Sequence, residues 1–66
     1  MEFDGTVTEV GDGYFKVGAT RINIDASSVI KFAEDDITSI EVGLPAQGKA
    51  AEYTDGTLIA TKAEFG

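Results

Sequence analysis

Apolar and polar residues alternate over short stretches of this chain, which predicts β-strands rather than long helices. Phe15 and Val17 share one face of a predicted strand, and Ile22 and Ile24 share one face of the next. The turn residues Gly18-Ala19 separate the two stretches. Strands of this length on either side of a short turn predict an antiparallel hairpin with its apolar side facing a core.

The first predicted strand runs from Glu2 to Val10 and carries two irregularities. Val10 falls out of the alternation, which a bulge near Thr8-Glu9 explains, and Gly5 lies in mid-strand. Both features indicate a strongly bent strand. Bent and bulged first strands are what small closed barrels require.

The remaining stretches complete an all-β order with one helical interruption. Val29–Phe32 is brief and β-branched, which favours a strand over a helical turn. An Asp cap at Asp35-Asp36, apolar spacing in Ile37–Gly43 and a closing glycine predict one or two helical turns. The last third predicts a hairpin with arms Pro45–Tyr53 and Thr57–Phe65. The order β-β-β-α-β-β predicts a five-stranded OB-like barrel with one short helix.

Size and composition limit what such a barrel can do. The chain has 66 residues, which is one small domain (1–66), and it contains no Cys and no His. Imidazole bases, thiolate nucleophiles and Cys/His zinc sites are therefore excluded, and no cofactor is predicted. The net charge of −7 disfavours nucleic acid and anionic membrane surfaces. No apolar run reaches the roughly 18 to 20 residues of a membrane span, so we expect no membrane insertion.

Acidic residues in turns offer two candidate chemistries. Oxygen-rich loops can hold Ca²⁺, which makes a weak cation site one hypothesis. Asp-Gly is also a common hairpin turn and Asp a common cap, so a structural role is the competing interpretation. Paired carboxylates such as Asp25 and Glu34 are the minimum for glycoside hydrolysis, but a chain this short rarely forms the deep cleft required, and we predict no enzyme. The candidate metal ligands are Asp12, Asp35, Asp36 and Asp55.

A second hypothesis places a small ligand on the second and third strands. Barrels of the OB type use outward aromatic residues there as stacking platforms for bases or sugars. Tyr14 is the predicted platform, with Lys16, Arg21 and Asn23 as polar neighbours. Because the chain is acidic, a neutral carbohydrate is the favoured ligand. The alternative is that Tyr14 only covers the barrel exterior or a domain contact.

Four short motifs resemble the bacterial domain-of-unknown-function family 5666, a group of small β-barrel modules of exported and envelope proteins. They are an opening Gly5–Val7, a hairpin motif Phe15–Gly18, a later Ile40–Gly43 and a closing Asp55–Thr61. The resemblance covers nearly the whole chain. It implies an OB-like fold and a periplasmic or extracellular setting, and it supplies no catalytic residue.

These observations together predict a non-catalytic structural or protein-interaction module of a larger bacterial envelope or extracellular protein. Its expected partners are proteins, either neighbouring domains or further copies of itself. The alternative is an OB-like module that binds Ca²⁺ weakly or binds a neutral carbohydrate.

Overall fold

The computed structural model describes all 66 residues and contains six strands and no helix. It therefore has no helix long and apolar enough to cross a membrane. The strands are β1 (Glu2–Gly11), β2 (Tyr14–Val17), β3 (Thr20–Asn23), β4 (Val29–Phe32), β5 (Pro45–Glu52) and β6 (Leu58–Phe65).

Five of the strands close into a barrel, as predicted. β1, β2 and β3 form an antiparallel meander, β5 and β6 form an antiparallel hairpin, and β1 also pairs with β5. The ring closes where β3 meets β6 in parallel at the pair Asn23 and Ile59. β4 lies outside this ring as a sixth strand, parallel to the second half of β6, with Val29 opposite Lys62 and Phe32 opposite Phe65.

β1 belongs to both sides of the barrel because it bends. Its first half pairs with β5 through Thr6, and its second half pairs with β2 from Val7 onward. The register shifts between Val7 and Glu9, which confirms the bulge predicted near Thr8-Glu9. The hydroxyl of Thr8, the extra residue, donates a hydrogen bond to the carbonyl oxygen of Gly18 at 2.6 Å. The bulge is thereby fixed against the turn between β2 and β3.

The core is a single apolar cluster. The Phe15 ring lies 5.7 Å from the Phe3 ring and 5.1 Å from the Phe65 ring, measured between centroids. The facing wall of β5 and β6 is built mainly from alanines, whose small side chains leave room for these rings. All buried side chains are apolar: Phe3, Val7, Phe15, Val17, Ile22, Ala46, Ala50, Ala60, Ala63 and Phe65.

The predicted helix over Asp35–Gly43 is wrong. This segment is a loop with turns at Asp35-Asp36 and Val42-Gly43. The N–H of Gly43 donates to the carbonyl oxygen of Val7, and the N–H of Val7 donates to that of Leu44, so the loop backbone is bonded to β1. A helix would use these groups internally, and one of so few residues, rich in β-branched side chains, is only marginally stable.

Candidate binding face on strands β2 and β3

The structure brings the four predicted ligand-binding residues onto one outward face. Tyr14 lies opposite Asn23, and Lys16 lies opposite Arg21, in the antiparallel register of β2 and β3. Side chains of directly opposed residues project to the same side of a sheet. The alternate positions of both strands point into the core, so the four polar side chains lie on the barrel exterior. We call this set of Tyr14, Lys16, Arg21 and Asn23 the polar face.

Contacts within the protein already occupy the Tyr14 side chain. The guanidinium carbon of Arg21 lies 3.9 Å from the centre of the Tyr14 ring. The Tyr14 hydroxyl donates a short hydrogen bond to the carboxylate of Glu9, which raises the pKa of Tyr14 above its ordinary value near 10.0. The same carboxylate lies 3.9 Å from the Lys16 ammonium group. One ring face and the hydroxyl of the predicted stacking platform are thus engaged.

Asn23 links the polar face to the line where the barrel closes. Its side-chain nitrogen donates to the carbonyl oxygen of Leu58 at 3.2 Å, across the β3–β6 contact. Its side-chain oxygen accepts a hydrogen bond from Nε of Arg21, also at 3.2 Å. Only one residue pair joins β3 to β6 in the ladder, so this side-chain bond reinforces the closure. Asn23 therefore has a structural role whatever else it does.

A shallow groove adjoins the polar face at the turn between β5 and β6. It has a volume of about 340 Å³ and is lined by Arg21, Asn23, Asp55, Gly56, Thr57 and Leu58. The Asp55 carboxylate accepts a hydrogen bond from the backbone N–H of Thr57 at 2.9 Å. The interaction with Thr57 holds the pKa of Asp55 below its ordinary value near 3.8. The groove offers one cation, one carboxylate and one amide to a ligand.

The structure does not bring the predicted metal ligands together. Asp12 lies in the β1–β2 turn, Asp35 and Asp36 lie in the turn after β4, and Asp55 lies in the β5–β6 turn. Nowhere do three or more carboxylates come close enough to hold a metal ion. The Asp55 carboxylate already accepts a hydrogen bond within its own turn. The structure therefore shows no carboxylate cluster that supports the Ca²⁺ hypothesis.

A larger groove lies on the opposite side of the ring, above the start of β1, the middle of β5 and the second half of β6. It has a volume of about 510 Å³, and Gly48 is one of its lining residues. Its walls alternate in charge, with carboxylates from Glu2, Asp4 and Glu64 and ammonium groups from Lys49 and Lys62. None of the residues predicted to bind ligand or metal lines this groove.

The sequence analysis missed two residues that organise the polar face, Glu9 and Leu58. Glu9 fixes both Tyr14 and Lys16, but its pairing opposite Lys16 follows only once the bulge in β1 is placed. Leu58 contributes a backbone oxygen, which no side-chain motif reveals. The bulge predicted near Thr8-Glu9 was the one available signal for the first of these.

Comparison with known proteins gives no match for this chain among protein-family models, curated proteins or solved structures. The resemblance to family 5666 therefore remains a prediction that rests on the four motifs.

Proposed function

We propose that this chain is a non-catalytic structural or protein-interaction module, part of a larger bacterial envelope or extracellular protein. We infer further that its barrel is of the OB type. The three-stranded meander, the closing hairpin and the parallel β3–β6 contact support that assignment. The envelope setting is supported by the motif resemblance alone.

The observation that carries the proposal is how the polar side chains are used. Every buried side chain is apolar, so no ionisable group lies in the protected environment in which enzymes tune acids and bases. The residues of the polar face are joined to one another and to Glu9 of β1 by hydrogen bonds, an ion pair and a cation–π contact. Side chains bonded to one another in this way stiffen the barrel surface, and they have fewer free hydrogen-bond donors and acceptors for a small ligand.

A second candidate is the binding of a neutral carbohydrate, which the groove beside the polar face favours. Arg21, Asn23 and Asp55 offer donors and an acceptor within one concave surface of about 340 Å³. The Tyr14 ring lies on the same strands, between the Arg21 guanidinium and the backbone at Gly11. A sugar bound there has to break the Arg21–Asn23 hydrogen bond or fit beside it.

Amide chemical shifts of the ¹⁵N-labelled protein distinguish the two candidates. The probes are CaCl₂ and maltohexaose, each titrated to millimolar concentration at physiological ionic strength. A structural or protein-interaction module gives no saturable shift with either probe. Saturable shifts at Asn23, Thr57 and Leu58 with maltohexaose, abolished by Arg21→Ala and retained in Lys49→Ala, would instead establish the carbohydrate site and reject our proposal.

A further inference from the structure

We propose that the open edge of β4 is a docking site for an extended peptide that has basic residues before a stretch of alternating apolar residues. The peptide adds to the sheet as a strand antiparallel to β4. This inference rests on the proposed protein-interaction role and names the partner that the role requires.

The sheet ends at β4. The strand order is β3-β2-β1-β5-β6-β4, and the other terminal strand, β3, is closed onto β6. β4 pairs with β6 on one side and with no strand on the other. A strand edge of this kind presents unpaired N–H and C=O groups to which another chain can bond.

The backbone register shows which groups are open. The N–H of Ala33 donates to the carbonyl oxygen of Phe65 at 2.9 Å, so Ala33 faces β6. In a parallel ladder, alternate residues direct both backbone groups to the same neighbour. Val29 and Lys31 therefore also face β6, whereas Ile30 and Phe32 direct N–H and C=O away from it. No side-chain hydrogen bond closes this edge, and the loop backbone bonds elsewhere.

The side chains of β4 define what an added strand has to present. Ile30 and Phe32 are half-buried and pack against the core, and the Phe32 ring lies 6.0 Å from the Phe65 ring. Val29 and Lys31 are exposed, Val29 by 50%. An added strand with apolar residues at alternate positions would cover the exposed parts of Ile30 and Phe32. Its other positions would remain in solvent beside Val29 and Lys31.

Charge selects the partner's flanking residues. One residue after β4 come three exposed carboxylates, Glu34, Asp35 and Asp36, and only Lys31 on β4 is basic. In an antiparallel arrangement, the residues that precede the peptide's apolar stretch lie beside this acidic segment. Lysines or arginines at those positions complement it. A second copy of the chain is a poorer occupant, because each copy carries a net charge of −7.

The test uses the intact 66-residue chain and an acetylated synthetic peptide of three lysines followed by Val-Thr-Val-Thr-Val. The amide hydrogens of Ile30 and Phe32 should exchange quickly in the free protein. Addition of the peptide should slow exchange at these two amides, with saturable shifts along β4. A peptide with N-methyl groups on the edge that faces β4 should not bind, because the ladder hydrogen bonds are lost.

Two protein variants test the charge and the edge separately. Asp35→Lys combined with Asp36→Lys should weaken binding about tenfold at low salt, and the difference should shrink at high salt. The matched control is Asp4→Lys combined with Glu2→Lys, on the far groove, which should weaken binding much less. Ile30→Pro removes an N–H that faces away from β6, a position where edge strands tolerate proline, and should abolish binding.

Several outcomes overturn the inference. One is that the peptide shifts Tyr14 and Arg21 instead of β4, and another is that it does not bind at millimolar concentration. The inference also fails if the N-methylated peptide, or a peptide with glutamates in place of the lysines, binds as tightly as the original peptide. Dimerisation of the free chain through β4 also overturns it, since a second copy then occupies the edge. None of these outcomes depends on the maltohexaose titration, so a failure of this inference can be distinguished from a failure of the proposed function.

Discussion

Gly48 is the residue at which the barrel wall depends most on the absence of a side chain. A Cβ atom there would lie 2.0 Å from the carbonyl oxygen of Lys62 and 2.9 Å from the Cα of Ala63. Both are backbone atoms of the paired strand, so relief requires the β5–β6 ladder to separate. We expect Gly48→Ala to lower the free energy of unfolding by about 3 kcal/mol, measured as the midpoint of urea unfolding.

The matched control for this prediction is Gly5→Ala in β1. Its Cβ would lie 2.7 Å from Cγ1 of Val17, a side-chain atom that another rotamer can move away. We expect a loss of about 1 kcal/mol. Equal midpoints for the two variants would show that the β5–β6 ladder tolerates the extra methyl group at Gly48.

The hydrogen bond between Tyr14 and Glu9 should be visible in the titration of the phenol. The Glu9 carboxylate accepts the hydroxyl proton and thereby raises the pKa of Tyr14. In a Tyr53→Phe background only Tyr14 absorbs as phenolate near 295 nm. We expect Glu9→Gln to lower the apparent pKa measured in this way toward the ordinary value near 10.0.

Glu52→Gln serves as the control, because it removes one negative charge from a position outside the polar face. An equal lowering of the Tyr14 pKa by both variants would mean that the overall negative charge acts on the phenol, and that the specific hydrogen bond does not.

The turns depend on two aspartates whose carboxylates accept hydrogen bonds. Asp25 accepts bonds from Ser27 and Ser28, and Asp55 accepts one from Thr57. Both pKa values lie below the ordinary value near 3.8 because of these interactions. The hydrogen bonds from Ser27 have the largest effect on Asp25, and the interaction with Thr57 has the largest effect on Asp55. The folded state then binds these protons less readily than the unfolded state. Each carboxylate contributes stability above the unfolded pKa and loses it as the pH falls through the folded pKa.

We therefore expect the urea midpoint to fall as the pH is lowered below the ordinary Asp value near 3.8. Combining Asp25→Asn with Asp55→Asn should flatten this dependence, since the variant has no carboxylates to protonate in these turns. Asp12→Asn removes the same kind of charge from a turn where the carboxylate accepts no hydrogen bond. If the urea midpoint of the double variant falls with pH as steeply as that of the Asp12→Asn control, the hydrogen bonds of Asp25 and Asp55 are not the source of the pH dependence.

At the scale of elements, short-range alternation was sufficient for several strands, although not for β6, whose alternation is interrupted by a register shift. The hairpin at Gly18-Ala19, the bulge near Thr8-Glu9 and the strand Val29–Phe32 follow from local pattern and are confirmed. The segment Ile37–Gly43 was misassigned because its apolar spacing reflects loop side chains that cover the barrel. Its backbone partner, Val7, is distant in sequence, and no local pattern reveals such a bond.

The sequence was sufficient to predict which residues form the polar face. It was not sufficient to predict the contacts that their side chains make. Alternation places Tyr14 and Lys16 on one side of β2 and Arg21 and Asn23 on one side of β3, and the hairpin brings the pairs together. The sequence does not show that Arg21 covers the Tyr14 ring, because that contact depends on rotamers. The four aspartates lie in three different turns of the barrel, and only Asp55 is shown to accept a hydrogen bond from its own turn.

For the whole molecule, the balance between a small core and a large charge excess governs stability. Ten residues are buried, and twelve acidic side chains face five basic ones. Lys16 and Glu9 form the one ion pair, and both side chains are partly exposed to solvent. A surface pair of this kind contributes little. The negative charges repel one another more strongly in the compact state than in the unfolded chain.

Salt should therefore stabilise the domain at neutral pH. Screening lengths fall from about 30 Å at 0.01 M salt to about 3 Å at 1 M, which removes repulsion across a barrel of this size. For a domain of this length, each kcal/mol of relieved repulsion corresponds to a rise of about 4 to 8 °C in Tm. We expect Tm at pH 7 to rise with NaCl, and to rise less in a variant that combines Glu2→Lys with Glu41→Lys, each of which replaces a negative charge by a positive one. If Tm rises equally in the two proteins, the rise comes from hydrophobic salting-out and not from screened repulsion. If Tm falls with NaCl, attractive contacts such as Lys16–Glu9 outweigh the repulsion.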